Sequence, residues 1–248
     1  MTSYGDSKVE ELIENDYRLA AVLFQAGLDF FKSGNLTLQE ACQQFHIDQH
    51  RLELRIQFTL ESKPPAPQRF GQFTSSQLIL YLIHTHHAHS RVTLPMVHYH
   101  IRKTEQLYSE EFPHLSVLQT FFDKFRTDFM HHLRQEEEIV FPFIHQLEEA
   151  LQNGPPAALL ELPDIQMASL QAHHSADNEE VEDISRLTSH FRFEPQDPLP
   201  YRVLMLELKS LHEDLKAHAD LEENLLFARA AVMEKKAKEE IKKLLGLN

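Results

Sequence analysis

Two decapeptides of this chain share one frame of histidine, paired glutamates, aliphatic residues and phenylalanine. His132-Leu-Arg-Gln-Glu136-Glu-Glu-Ile-Val-Phe141 parallels His218-Ala-Asp-Leu-Glu222-Glu-Asn-Leu-Leu-Phe227. Both read His-x-x-x-Glu-Glu-x-aliphatic-aliphatic-Phe. Four-residue spacing puts the imidazole and the first carboxylate on one face of a helix. The spacing alone carries little weight, since random placement of 17 His and 26 Glu would give about two such pairs. The chain has four, and those starting at His145 and His190 lack the shared frame. A second regularity extends the pattern. His132 and His218 lie 86 residues apart, and His87 and His174 lie 87 apart, so the region reads as a duplicated helical hairpin. Each half supplies one His from its first helix and a His plus Glu from its second. The candidate set is therefore His87, His132, Glu136, His174, His218 and Glu222, all as metal ligands. Imidazole and carboxylate without thiolate suit iron, manganese or zinc in a dinuclear site, with glutamates bridging ions about 3.5–4 Å apart.

Four segments with helical period must position these groups. The first carries Leu80, Ile83, His87, Leu94, Val97 and Ile101 on one inward seam. The second carries Leu118, Phe122, Phe125, Phe129, His132, Glu136, Ile139 and Phe143. The third carries Met167, Leu170, His174, Val181 and Ile184, and the fourth Leu204, Leu208, Leu211, Leu215, His218, Glu222 and Leu225. The seams are apolar except where His or Glu interrupts them. An unpaired carboxylate in such a core costs several kcal/mol by order of magnitude, and a metal ion supplies the compensating charge. Prolines separate the segments, at Pro113, at Pro155, Pro156 and Pro163, and at Pro195, Pro198 and Pro200. The expectation is an all-α, up-down-up-down four-helix bundle, ending in a solvated Lys- and Glu-rich helical tail over 234–245.

Before the bundle, Pro64, Pro65 and Pro67 make a stiff spacer at 61–71. The preceding unit, 1–60, reads as short helices. One contains Tyr17 to Ala26 and stops at Gly27, one opens on the capping box Thr37-Leu38-Gln39-Glu40, and one follows the cap Asp48. The expected division is 1–60, 61–71 and 72–248. The first unit is small for an independent core, which makes a homodimer through it one expectation.

Ligand choice leaves alternatives open. His84, His86, His87 and His89 crowd the first helix, and His87 alone shares the seam of Ile83, Leu94 and Val97. His173 sits beside His174, which continues the Met167–Leu170 seam. Whether His84, His86, His89 or His173 replaces or supplements one of the six is open at this point. His98, His100, His131 and His145 read as solvated or as neighbours of the ligands. Tyr81, Tyr99 and Tyr108 are acid–base candidates by polarity only.

Composition narrows the class. Lys+Arg number 24 and Asp+Glu 38, giving a net charge of −14, which speaks against nucleic-acid binding through Lys and Arg. Only 6 glycines occur, where about 17 would be average, so hairpin-rich sheets are disfavoured. No apolar run is long enough to span a bilayer and the N-terminus is polar and acidic, so no membrane role is expected. Cys42 is the single cysteine, which precludes an intrachain disulfide and fits a reducing cytoplasm.

The motifs resemble the hemerythrin-like (HHE cation-binding) fold, and the whole chain resembles the bacterial repair-of-iron-centres di-iron proteins of the ScdA/YtfE type. The resemblance rests on His87-Ala-His-Ser-Arg91-x-x-Leu94-Pro95, on His132-x-x-x-Glu136-Glu-x-Ile-Val-Phe-Pro142, on His174, and on His218-x-x-x-Glu222-x-x-Leu-Leu-Phe. In the first unit it runs from Asp16-Tyr17-Arg18 through Gly27-Leu28-Asp29-Phe30 to Cys42. It implies two iron ions, oxo- and carboxylate-bridged, held by the same six residues. It also implies iron-centre repair under nitrosative or oxidative stress, with nitric oxide, dioxygen or peroxide as ligands or iron–sulfur proteins as recipients of iron. Where that family usually carries Cys-Cys-Gly-Gly, this chain has Phe31-Lys32-Ser33-Gly34. Thiol chemistry assigned to the cysteine pair cannot take place at that position.

Overall fold

The computed structural model describes residues 4–62, 70–161 and 179–246. Met167, Leu170 and His174 of the expected third seam, the alternative His173, and the spacer prolines lie outside the described residues. The protein is all-α. Its helices are α1 (Val9–Asn15), α2 (Arg18–Gln25), α3 (Phe30–Ser33), α4 (Leu38–Phe45), α5 (Gln49–Glu61), α6 (Ser75–Leu82), α7 (Ala88–Tyr108), α8 (His114–Gln135), α9 (Phe141–Gln152), α10 (described over 179–187), α11 (Leu199–Leu221) and α12 (Ala228–Leu244). The described residues form two compact units. No described helix is long and apolar enough to cross a membrane.

The first unit comprises residues up to 67 together with 93–123 and 184–211. Its helix ends follow the sequence signals. Gly27 takes φ +88° just beyond α2, a left-handed conformation that glycine adopts without a Cβ clash. Thr37 and Glu40 close a reciprocal capping box on α4, and the Asp48 carboxylate accepts from the Arg51 N–H at the start of α5. Leu12, Ile13, Leu19, Leu23, Leu28, Leu38, Ile56 and Val203 form its core. Asp29 caps α3 and also accepts from the Tyr99 hydroxyl at 2.5 Å, so the Phe31–Gly34 segment is fastened to α7.

The second unit comprises 68–92, 124–183 and 212–248. Its core joins Leu78, Leu82, Val140, Phe141, Ile144, Leu226, Phe227 and Ala230. Three helical rods are interrupted here by π turns, at Ile83–His87, Glu136–Val140 and Glu222–Phe227. The Ala88 N–H reaches Ile83 O and the Phe141 N–H reaches Glu136 O, each bond spanning one residue more than an α turn. Pro142, in the first turn of α9, has no N–H to donate back across the turn, which suits a helix restarting after the extra residue.

These turns correct two seam assignments. Leu80 is 56% exposed and Ile139 is 51% exposed, although an unbroken 3.6-residue period puts both inward. Each π turn slips the register by one residue, so one face cannot run through it. Leu94, Val97, Ile101, Phe122, Phe125, Phe129, Leu204, Leu208, Leu211 and Leu215, on uninterrupted α-helix, are buried as expected. The tail over 234–245 differs from expectation in one respect only. It is helical and mostly exposed as expected, but it continues α12 and is tied to the second core at Ala237, which is buried, and at Ile241, which packs against it.

Candidate metal centre

Each π turn delivers a group to one place. His87 is the last residue of the first, Glu136 opens the second, and Glu222 opens the third, with His218 one turn before it on α11. One ligand atom from each of His87, Glu136, His218 and Glu222 lies within 4.8 Å of all the others, and all four residues are buried. His87 Nε2 stands 3.1 Å from His218 Nε2, 3.5 Å from Glu136 Oε2 and 4.0 Å from Glu222 Oε1. His132 Nε2 lies 3.1 Å from Glu136 Oε1, and His218 Nε2 lies 3.1 Å from Glu222 Oε1. The expected i, i+4 pairing thus holds in both decapeptides. His174 lies outside the described residues.

Burial sets the protonation of the rings. His87 is pushed down to about 4 by desolvation and then by the neighbouring His218, and His218 is pushed to about 4 chiefly by desolvation. Both are neutral near pH 7, the form with a lone pair to give a metal. Two carboxylates and neutral imidazoles converging in a closed apolar core make a donor set that fits a divalent or trivalent cation of the iron, manganese or zinc type. Phe141 stacks on the His87 ring and Phe129 on His132, each at 5.5 Å between centroids, limiting how the rings can turn.

Several contributors were not read from the sequence. Glu137 Oε1 accepts from His87 Nδ1 at 2.8 Å, and its other oxygen accepts from Arg91 at 2.7 Å. Burial works to raise the Glu137 carboxyl, but the hydrogen bonds from Arg91 and His87 outweigh it and hold the group below its ordinary value. The second glutamate of each decapeptide was the available signal for this contact. Among the alternatives on the first helix, His84 and His89 are exposed and do not join the cluster. His86 is buried, pairs with Asp214 at 3.0 Å and stacks on His218, so it borders the cluster without joining it. Tyr81 packs edge-on against His86. Tyr99 belongs to the first unit.

His100 departs from expectation. It is 1% exposed and paired to Glu207 at 2.7 Å inside the first unit, because the aromatic rings of Phe24, Phe30 and Phe31 close over it. His131 and His145 are exposed, as expected. Cys42 is buried in the first core, and desolvation raises its thiol, which fits a packing role.

No family model matches the chain. Curated relatives do. The chain is 29% identical over 229 residues to an iron–sulfur cluster repair protein YtfE of Edwardsiella ictaluri, covering 92% of this chain and 98% of that one. It is 26% identical over 227 residues to the protein of the same name from Musicola paradisiaca, covering 92% and 97%. With the one from Yersinia pseudotuberculosis it shares 26% over 206 residues, covering 83% and 88%. The resemblance read from the motifs therefore extends over nearly the whole chain.

Proposed function

We propose that this chain, a homologue of the YtfE iron–sulfur cluster repair proteins, is a non-haem di-iron protein of iron-centre repair and the response to nitrosative and oxidative stress, working in the cytoplasm. The observation that carries the proposal is the buried convergence of His87, Glu136, His218 and Glu222. In this reading His87, His132, His174 and His218 are terminal ligands, and Glu136 and Glu222 bridge. Bound iron would supply open coordination positions for nitric oxide, dioxygen or peroxide, or itself be the cargo given to a damaged iron–sulfur protein. The chain's own residues do the rest. The neutral rings present lone pairs, the glutamates neutralise cationic charge, and Phe129 and Phe141 pack on two of the rings. Residues 1–60 then form a small helical domain, 61–71 a linker and 72–248 the metal-binding bundle, and the ligands come from the bundle alone.

The test is metal content. Purified protein reconstituted anaerobically with ferrous iron should hold two irons per chain, and His218→Ala with Glu222→Ala should abolish this. Clearly fewer than two irons in the wild-type chain would refute the proposal.

A second reading is favoured by one observation, the Phe31-Lys32-Ser33-Gly34 segment at the family's cysteine pair. Without those thiols the same centre serves as a non-enzymatic oxygen or iron sensor or store that acts through a partner. Ligand-dependent spectral change without consumption of nitric oxide or peroxide, and without iron transfer to an apo iron–sulfur protein, would select this reading.

A further inference from the structure

We infer that Glu137 and Arg91 are positioning residues for the centre: Glu137 fixes which nitrogen of His87 faces it, and Arg91 holds Glu137 to that task and so decides which of two adjacent glutamates is a ligand. The inference rests on the di-iron reading above.

An ionised carboxylate can only accept, so the 2.8 Å contact makes His87 Nδ1 the protonated nitrogen and leaves the Nε2 lone pair directed at Glu136, His218 and Glu222. Carboxylate partners of metal-binding histidines act this way in general, orienting the ring and raising its basicity. The particular feature here is competition. Glu136 and Glu137 are neighbours in one π turn, and both reach the first helix. Glu136 directs one oxygen toward His87 Nε2 and the other toward His132 Nε2. Glu137 has both oxygens committed elsewhere, one to His87 Nδ1 and one to the Arg91 guanidinium at 2.7 Å. A free carboxylate beside a multiply charged metal pair is a strong rival ligand. The guanidinium removes that rivalry by occupying Oε2 while the imidazole N–H occupies Oε1. Arg91, in the first turn of α7, stands one helical turn beyond His87 at the end of the π turn, so one face of this rod carries both the ligand and the clamp. In the repeat register that pairs His87 with His174, Arg91 pairs with the uncharged Asn178, so the guanidinium is a feature of one half of the duplication.

The test uses the full-length chain in three forms besides wild type: Glu137→Gln, Arg91→Met and Arg91→Lys. Nitrogen NMR of the metal-free protein reads the tautomer of His87. Wild type should show the Nδ1-protonated ring, and Glu137→Gln a mixture of tautomers. Anaerobic ferrous iron titration should then show one of the two irons bound about 10- to 100-fold more weakly in Glu137→Gln. X-ray absorption of the cobalt(II)-loaded proteins should show an added oxygen ligand in Arg91→Met, with Arg91→Lys restoring the wild-type spectrum. Unchanged tautomer and unchanged iron affinity in Glu137→Gln would overturn the inference for Glu137. Cobalt spectra that match among wild type, Arg91→Met and Arg91→Lys would overturn it for Arg91. If wild type itself holds fewer than two irons, the di-iron reading falls and this inference falls with it. If wild type holds two and the variants behave alike, only the inference falls.

Discussion

At the scale of residues, the candidate centre depends on histidines that stay neutral where free histidine is partly charged. The folded His87 and His218 rings titrate near 4, against an ordinary value of 6.5. Between those values the unfolded chain takes up more protons than the folded one, so folding stability falls as pH drops from about 6.5 toward 4 and is fully present above that window. Urea unfolding of the metal-free protein should show this loss, on the order of 2–3 kcal/mol per ring, and replacing both rings by Gln should flatten the profile. A metal-free stability that stays level between pH 7 and pH 4.5 would contradict the account. His87, Glu136, His218 and Glu222, which the fold brings together, were legible in the sequence because a duplicated frame and a repeated spacing singled them out. Glu137, Arg91 and Asp214 were not: the repeated second glutamate marked the position of Glu137, but spacing does not tell a carboxylate that orients a ring from one that faces solvent. The burial of His100 was missed for a related reason. Its partners Glu207 and Phe30 are remote in sequence, and only the fold brings them to it.

At the scale of elements, seam periodicity identified the long helices and the residues they bury wherever the helix is regular. It failed at Leu80 and Ile139, next to or inside the π turns, because a helical seam assumes a constant register. Those same turns carry His87, Glu136 and Glu222, so the local failure of the pattern marks the site. Deleting Ile139, an exposed residue of the second π turn, should convert Glu136–Val140 to regular α-helix and leave the flanking helices in their own registers. The expected result is unchanged helicity by far-UV circular dichroism with iron affinity at least tenfold lower, because Glu137 is drawn away from His87. Wild-type iron affinity in the deletion variant would show that the turn has no part in forming the centre.

For the molecule as a whole, the described candidate ligands all fall in the second unit, while the first unit has its own buried charge chemistry. His100 and Glu207 pair inside it, and His100 Nε2, Thr104 Oγ1 and Glu207 Oε1 find no hydrogen-bond partner among the described residues. Removing one member of a buried pair costs about 3–5 kcal/mol, so Glu207→Ala should lower Tm markedly. Glu207 lies in the first unit, outside the cluster of His87, Glu136, His218 and Glu222, so iron per folded chain should stay at the wild-type value. Loss of iron from a Glu207→Ala protein that remains folded would mean that the ligands are not confined as described. Low glycine content and proline-rich connections made the all-α class legible from composition. The grouping of parts of α7, α8 and α11 with different units was not legible, since a continuous helix carries no sequence mark where its packing partners change.

The central claim is that His87, Glu136, His218 and Glu222 surround metal. Anomalous diffraction at the iron absorption edge, from crystals of the iron-reconstituted chain, tests it most directly. The account predicts two adjacent peaks, each within coordination distance of these side chains, with Glu136 and Glu222 touching both. Density without anomalous signal at this cluster, or iron bound elsewhere on the chain, would contradict it.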